Sequence, residues 1–485
     1  MNVRTALSIA LFAATLPAVA AEAPNLSDDP RVTDAIHAWQ EWVEYQAAID
    51  RVPAVSIAVV HDQDLLAAGG FGLADPAADR PATADTLYSI CSISKLFTSV
   101  GVMRERDAGR LRLDDPVAEH LDWFDIQDIH PNDEPITIRG LLTHSAGLPR
   151  ESDYPYWTAE DYPFPTHDRI VERLAEQKTL YPASRVFQYS NLGLTLAGEI
   201  VAAVSGEPFG EYMRSHILDP LEMTSTFPEI PRDVPRDRLA VGHTALGRDG
   251  SRDPVPLFDI AGIAPAAGFV SSAVDLAKFA AWQSRLLDEG GETVLRASTL
   301  REMHRVHWVD PDWETTWGLG FAVSREGDRT FVTHGGGCPG YYTHFRYQPD
   351  ARLAVIALSN AIGTETGLYT LRGFDFVGPA VAAALEDPDD LPERDPALDA
   401  YVGVYGSIWG QTAIVRWQDG LAEVDLDSRD PKESLAPLRK SGEHTFVRVR
   451  EDDESIPGET FLFEIGEDGV ATRYLRHSNW VNRIR

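Results

Sequence analysis

Two groups of strand-forming residues, one on either side of a long helix-rich stretch, constrain this fold more than anything else in the chain. Near the N-terminus, Val55 to Val60 is rich in β-branched residues, His61-Asp62-Gln63-Asp64 has turn chemistry, and Leu65 to Gly72 can return as a second strand. Strand-like runs resume with Phe321 to Ser324, Phe331 to Thr333, Thr343 to Tyr347 and Leu353 to Leu358, with Pro349-Asp350-Ala351 as the turn between the last two. Helical periodicity marks Pro30 to Asp50, with Ile36, Trp39, Trp42 and Val43 on one face, and then Ile170 to Gln177, Leu192 to Val204 and Ala273 to Leu287. Ser272 and Asp275 form a plausible capping box for the last of these. The pattern predicts an α+β fold: an antiparallel sheet whose strands come from both ends of one unit, with helices inserted between.

The ends of the chain read differently. Residues 1–20 carry Arg4, the apolar run Ala6 to Leu16 and the small-residue site Ala18-Val19-Ala20, the pattern of an export signal. The mature chain is therefore expected to be periplasmic or secreted, and no later run is apolar for the roughly 20 residues of a membrane span. The main unit is expected over 25–385. An acidic, proline-rich linker follows at 386–396, and residues 397–485 alternate in short runs broken by Asp-Gly-type turns, which predicts a small all-β barrel or sandwich. A net charge of −32 argues against nucleic acid or an anionic membrane as partner, because either would repel such a surface. Glu151 to Pro165, rich in Pro, Tyr, Trp and acids without periodicity, reads as a long surface loop.

The chemistry is concentrated in Ser92-Ile93-Ser94-Lys95. Lys95 is one of five lysines, and the only one with a serine three residues before it. On a helix this spacing puts the hydroxyl and the amine on one face. Leu96, Val100 and Met103 continue an apolar stripe and Gly109 ends it, so Ser92 is expected at a helix N-terminus, where burial and the helix dipole favour a neutral amine able to activate the serine. Two further motifs follow in order: Tyr189-Ser190-Asn191 before a helix, and His334-Gly335-Gly336 at the end of a strand.

The set SxxK, YxN and HxG in that order resembles the serine β-lactamase and penicillin-binding-protein superfamily, and most closely its class C branch with the related esterases and D-amino-acid peptidases. Thr137 to Pro149, Leu218 to Met223, Ala267 to Ser272 and Trp317 to Phe321 resemble further blocks of that family, and the C-terminal region resembles its appended lipocalin-like domain. The resemblance implies that Ser92 is the acylated nucleophile, that Lys95 takes its proton or holds Tyr189 as phenolate, and that Tyr189 is a general base whose pKa is lowered by a cationic Lys95. It implies that Asn191 orients Lys95 and a substrate carbonyl. The backbone N–H groups of Ser92 and Gly337, beside Gly336 and His334, would form the oxyanion hole. No metal or cofactor is implied. The resemblance also implies a Cys91–Cys338 disulfide bordering the site, with two buried free thiols as the alternative.

A GxSxG-like stretch at Thr143 to Gly147 and the His334-Gly335-Gly336-Gly337 run imitate an α/β-hydrolase. Their order along the chain is reversed for that fold, and Leu148-Pro149 stands where its helix should begin. The third motif also lacks the Lys-Thr pair that commonly holds a penicillin carboxylate, since Gly335 has no hydroxyl and His334 is only partly charged near neutral pH. The expected activity is therefore hydrolysis of a small-molecule ester or a small D-amino-acid amide or peptide through an acyl-enzyme. A β-lactamase or D-alanyl-D-alanine carboxypeptidase is the alternative, and a non-catalytic scaffold the third.

Overall fold

The computed structural model describes residues 25–485 apart from 153–154, 159–160, 230–233, 235 and 450–457. The export signal read at 1–20 lies outside these residues. Helix α1 (Pro30–Ile49) opens on Asp29, whose side chain accepts the Arg31 N–H, with Pro30 at the first helical position where no donor is lost. The hairpin β1 (Ala54–His61) and β2 (Asp64–Asp75) turns through Asp62 at φ 54, and β3 (Arg80–Pro81) continues its edge. A small ribbon pairs β4 (Tyr88–Ser89) with β5 (Val270–Ser271). The later strands are β6 (Trp308–Val309), β7 (Thr316–Trp317), β8 (Ala322–Glu326), β9 (Arg329–Cys338), β10 (Tyr341–Gln348) and β11 (Leu353–Ser359).

Among the described residues nine strands form one antiparallel sheet in the order β3-β2-β1-β11-β10-β9-β8-β7-β6. Val55 lies opposite Ser359, so the first strand of the unit pairs with its last. Every residue of β1 is buried, and its alternate side chains feed two cores. Ala54, Ala58 and Val60 join the core built with helices α2 (Ser94–Asp107), α3 (Ile138–Leu142), α4 (His167–Leu174), α5 (Asn191–Ser205), α6 (Phe209–Met213), α7 (Ala264–Ala267), α8 (Ala273–Glu289) and α9 (Ala297–Met303). Val55, Ile57 and Val59 face α1 and the helix α10 (Thr366–Glu386), against Trp39, Trp42, Phe374 and Val377. Full burial of each such aliphatic side chain contributes about 1.5–3 kcal/mol.

Eight further strands close into a barrel: β12 (Gly403–Ser407), β13 (Gly410–Trp417), β14 (Gly420–Asp425), β15 (Ala436–Lys440), β16 (Thr445–Arg448), β17 (Thr460–Ile465), β18 (Ala471–Arg476) and β19 (Asn479–Arg483). Tyr405 of β12 pairs with Arg483 of β19 and shuts the seam. Of the two forms left open by sequence, barrel and sandwich, the structure adopts the barrel. Tyr401, Tyr405, Phe446, Phe461, Phe463 and Tyr474 pack together in its core. Its outer surface joins the α1–α10 core through Ala413, Val415, Ala422 and Val424. Trp42 Nε1–H donates to the Ser428 carbonyl at 2.8 Å and Gln46 Nε2–H to the Leu426 carbonyl at 2.7 Å, so the contact between barrel and α1 is polar as well as apolar.

Helix α10 carries no expectation from sequence, because Gly367, Gly373, Gly378 and Pro379 weaken its helical signal. Strand β9 runs on through Gly335, Gly336 and Gly337 to Cys338, five residues past the apolar run that marks it in sequence. Both are set by what packs against them rather than by local propensity. Among the described residues no helix is long and apolar enough to cross a membrane.

Candidate active site

Ser92 sits in a tight turn, Cys91–Ile93, that leads directly into α2. Cys91 holds φ 51, a left-handed conformation costly for a residue with a side chain. The turn is pinned by Ser94, whose Oγ–H donates to the Cys91 carbonyl at 2.5 Å while accepting the Phe269 N–H at 2.9 Å. A disulfide joins Cys91 to Cys338 at the end of β9, with Cα atoms 5.7 Å apart. It ties the Ser92 turn to the strand carrying the third motif.

Lys95, one residue into α2, is fully buried. Its Nζ lies 3.1 Å from Ser92 Oγ, 2.7 Å from Asn191 Oδ1 and 2.8 Å from the Ala266 carbonyl oxygen. Burial pushes its pKa well below the ordinary lysine value; nearby Glu151 opposes this shift and Arg150 adds to it. A neutral amine has two N–H donors and one lone pair. Asn191 and Ala266 take the donors, which leaves the lone pair toward the Ser92 hydroxyl.

Tyr189 is hydrogen-bonded to Ser92. The Lys95 ammonium position lies 4.9 Å from its ring centroid and the Arg150 guanidinium 5.0 Å. Its pKa is raised, because desolvation outweighs the Ser92 hydrogen bond and Arg150. The expected fall of the Tyr189 pKa beside a cationic Lys95 is therefore corrected. Tyr189 is therefore a neutral hydroxyl near neutral pH, and the lowered pKa of Lys95 favours its free amine, the group with a lone pair for the Ser92 proton.

His334 is buried, and burial pushes its pKa down to about 3. The partial charge expected near neutral pH is absent; His334 is a neutral ring whose Nδ1–H donates to the Gly335 carbonyl at 2.6 Å. Its ring lies 6.3 Å from Tyr189 and 5.6 Å from Trp317. Beyond Thr333, β9 leaves its partner β8 and pairs with β10 alone among the described strands, so Gly336 and Gly337 run beside the Ser92 turn. A Cβ on Gly336 would lie 2.2 Å from the Ile90 carbonyl oxygen, which explains glycine there. Ser145, the imitation hydrolase serine, is buried with its Oγ 2.8 Å from Thr143 Oγ1, in a pair closed off from solvent.

The structure thus gathers Ser92, Asn191 and Tyr189 around Lys95, with Ser92 and Asn191 hydrogen-bonded to its amine, and sets His334, Gly336 and Gly337 along one side. The beta-lactamase family profile matches residues 39–372. The chain belongs to the beta-lactamase family. Among curated relatives, Penicillin-binding protein 4 of Amycolatopsis lactamdurans is 28% identical over 378 residues, covering 74% of this chain and 94% of the relative. Among solved structures, the octameric penicillin-binding protein homologue from Pyrococcus abyssi superposes with a TM-score of 0.62 at 23% identity, covering 92% of this chain and 99% of its own. The D-amino acid amidase of Ochrobactrum anthropi SV3 superposes with a TM-score of 0.60 at 26% identity, covering 72% and 99%.

The site of this beta-lactamase family member also contains residues that its motifs do not reveal. Glu151 accepts Asn191 Nδ2–H at 2.7 Å and the Tyr156 hydroxyl, and lies 3.4 Å from Arg150. It reads in sequence as the first residue of a surface loop, yet it fixes which way the Asn191 amide points. The Arg150 carbonyl accepts the Asn191 N–H at 2.8 Å, which sets the start of α5 against the same segment. His144 and Trp317 pack around Tyr189, at 4.3 Å and 6.1 Å between ring centroids. Both lie in sequence blocks that resemble the family, and only their place in the fold makes them neighbours.

Proposed function

We propose that this chain is an exported serine hydrolase that forms an acyl-enzyme at Ser92 and acts on esters or small amides, with α-amino acyl compounds such as D-amino-acid amides as its preferred class. The observation that carries the proposal is the Lys95 amine, fully buried, with two acceptors for its N–H groups and Ser92 Oγ 3.1 Å from its remaining lone pair. That is a base poised on a nucleophile.

In acylation the Ser92 proton passes to Lys95 Nζ as Oγ bonds to the substrate carbonyl carbon. The oxyanion is stabilised by the backbone N–H groups of Ser92 and Gly337. Tyr189, neutral and bonded to Ser92, relays a proton from the Lys95–Ser92 pair to the departing alcohol or amine, and the C–O or C–N bond breaks. Water then attacks the ester carbonyl, gives its proton to the same pair, and Ser92 Oγ leaves with a proton restored.

Two features narrow the substrate. The third motif offers neutral His334 and Gly335 where a penicillin carboxylate needs a cation and a hydroxyl, so a free carboxylate is poorly served. Glu151, by contrast, puts an acidic group on Asn191, the residue expected to meet the acyl portion, and favours a substrate with an ammonium next to its scissile carbonyl. The named substrate class of the Ochrobactrum relative, a D-amino acid amidase, fits the same chemistry. The alternative, β-lactam turnover or stable penicillin binding, draws on the Amycolatopsis relative's name.

A panel of p-nitrophenyl esters, D- and L-aminoacyl p-nitroanilides and nitrocefin, run on wild type and Ser92→Ala, tests the reading. Wild type is expected to cleave short esters and D-aminoacyl anilides, with at least a roughly thousandfold loss in Ser92→Ala. Activity unchanged by Ser92→Ala would reject it, and turnover of nitrocefin alone would shift the assignment to the β-lactamase alternative.

A further inference from the structure

The reaction just described leaves one buried neighbour of Tyr189 without a role. His144, 1% exposed, follows α3 at φ 57, a left-handed position that turns the chain beneath the Tyr189 segment. It meets that segment at three points. Its carbonyl oxygen accepts the Gln188 N–H at 2.7 Å, one residue before Tyr189. Its ring Nδ1 accepts the Ser190 N–H at 3.1 Å, one residue after. Between these two bonds the imidazole lies against the Tyr189 ring, centroids 4.3 Å apart and planes 32° apart.

The tautomer follows from this arrangement. Since Nδ1 accepts, the ring proton is on Nε2, which has no hydrogen-bond partner. No second hydrogen bond holds the imidazole; the Nδ1 contact and its aromatic neighbours do. Trp317 stands edge-on to it at 5.0 Å and Phe187 at 5.8 Å. Burial, with the Arg150 guanidinium close by, disfavours the charged ring, and only the uncharged ring has a lone pair for the Ser190 N–H.

We propose that His144 is the positioning residue of Tyr189, clamping the backbone on both sides of it and backing its ring so that the hydroxyl stays on Ser92. The proposal rests on the serine-hydrolase reading above. It explains why a histidine stands there. Phenylalanine would keep the stack but leave the buried Ser190 N–H unpaired, and asparagine would offer an oxygen near the Nδ1 position without the ring. A displacement of the Tyr189 hydroxyl by a fraction of an ångström acts on proton relay, a step in turnover, more than on substrate binding.

The test compares H144F and H144N with wild type in steady-state hydrolysis of a p-nitrophenyl ester, with active sites counted by fluorophosphonate labelling and folding checked by thermal unfolding. The expected result is a kcat per labelled site at least about tenfold lower in H144F with KM within about threefold, and a kcat in H144N above that of H144F. A smaller fall in H144F, or no recovery in H144N, overturns the proposal. Should H144F not fold, H144N and H144L decide in the same way, with H144N expected to be the faster. The two readings fail separately. An inactive Ser92→Ala beside a fully active H144F sinks the positioning role alone, whereas an active Ser92→Ala sinks the hydrolase reading itself.

Discussion

Gly336 lies so close to Ile90 that a Cβ on the glycine would stand 2.2 Å from the Ile90 carbonyl oxygen, and as close to Thr343 Oγ1. Ile90 directly precedes the Ser92 turn, so this contact sets the distance between Ser92 and the strand carrying the third motif. Gly336→Ala must push strand and turn apart. It is expected to destabilise the protein by about 1–3 kcal/mol, as overpacking does, and to lower kcat by more than its loss of folded protein accounts for. Thermal unfolding and active-site-titrated kinetics read the two effects; full activity in a stable variant would refute the contact's importance.

Lys95 supplies a pH dependence of definite sign. Burial lowers its pKa in the folded state, so below about 10.4 the unfolded chain binds the proton more readily. Between the lowered folded value and about 10.4, stability rises with pH, by up to about 1.4 kcal/mol per pH unit for this one group. Denaturant unfolding of wild type and Lys95→Met at about pH 8 and about pH 9.5 should show wild type gaining on the variant. A constant difference would mean that Lys95 is charged when folded. Activity should likewise fall on the acid side as the amine is protonated.

Glu151→Gln keeps an oxygen for the Asn191 Nδ2–H but removes the negative charge. KM for D-aminoacyl p-nitroanilides should rise by up to about fivefold, the size of one partly exposed charge contact, while KM for the N-acetylated analogues stays unchanged. Equal effects on both substrates would show that Glu151 only orients Asn191.

The Cys91–Cys338 bond spans a sequence separation of 247 residues, so it restrains a long loop of the unfolded chain. In the chain-entropy account this contributes up to about 5.5 kcal/mol. Reduction, or the double change Cys91→Ala with Cys338→Ala, should lower the thermal midpoint and the rate together, because the bond also ties the Ser92 turn to β9. Denatured, unreduced protein should titrate no free thiol; two free thiols would exclude the bond.

Much of this site is legible in the sequence because its chemistry is local. Ser92 and Lys95 are three residues apart, the Tyr189 motif opens a helix capped by Ser190, and the Ala273–Glu289 helix starts at the cap that Ser272 announces. What sequence conceals is set by distant partners. The glycines of β9 look like a strand's end, but Gly336 is needed to pass Ile90. Helix α10 reads poorly because it carries Gly373, yet a Cβ there would lie 2.8 Å from Val355 and 3.1 Å from Trp39. Glu151 looks like a loop residue until the fold brings it to Asn191, and the pKa direction of Tyr189 reverses once the desolvation of its own hydroxyl is seen.

Labelling of the nucleophile tests the central claim most directly. Native protein treated with a fluorophosphonate probe, digested and mapped by mass spectrometry, should carry a single adduct on Ser92, absent in Ser92→Ala and formed at least about a hundredfold more slowly in Lys95→Met. An unlabelled Ser92 in folded wild-type protein, or labelling at an unchanged rate in Lys95→Met, would contradict the account.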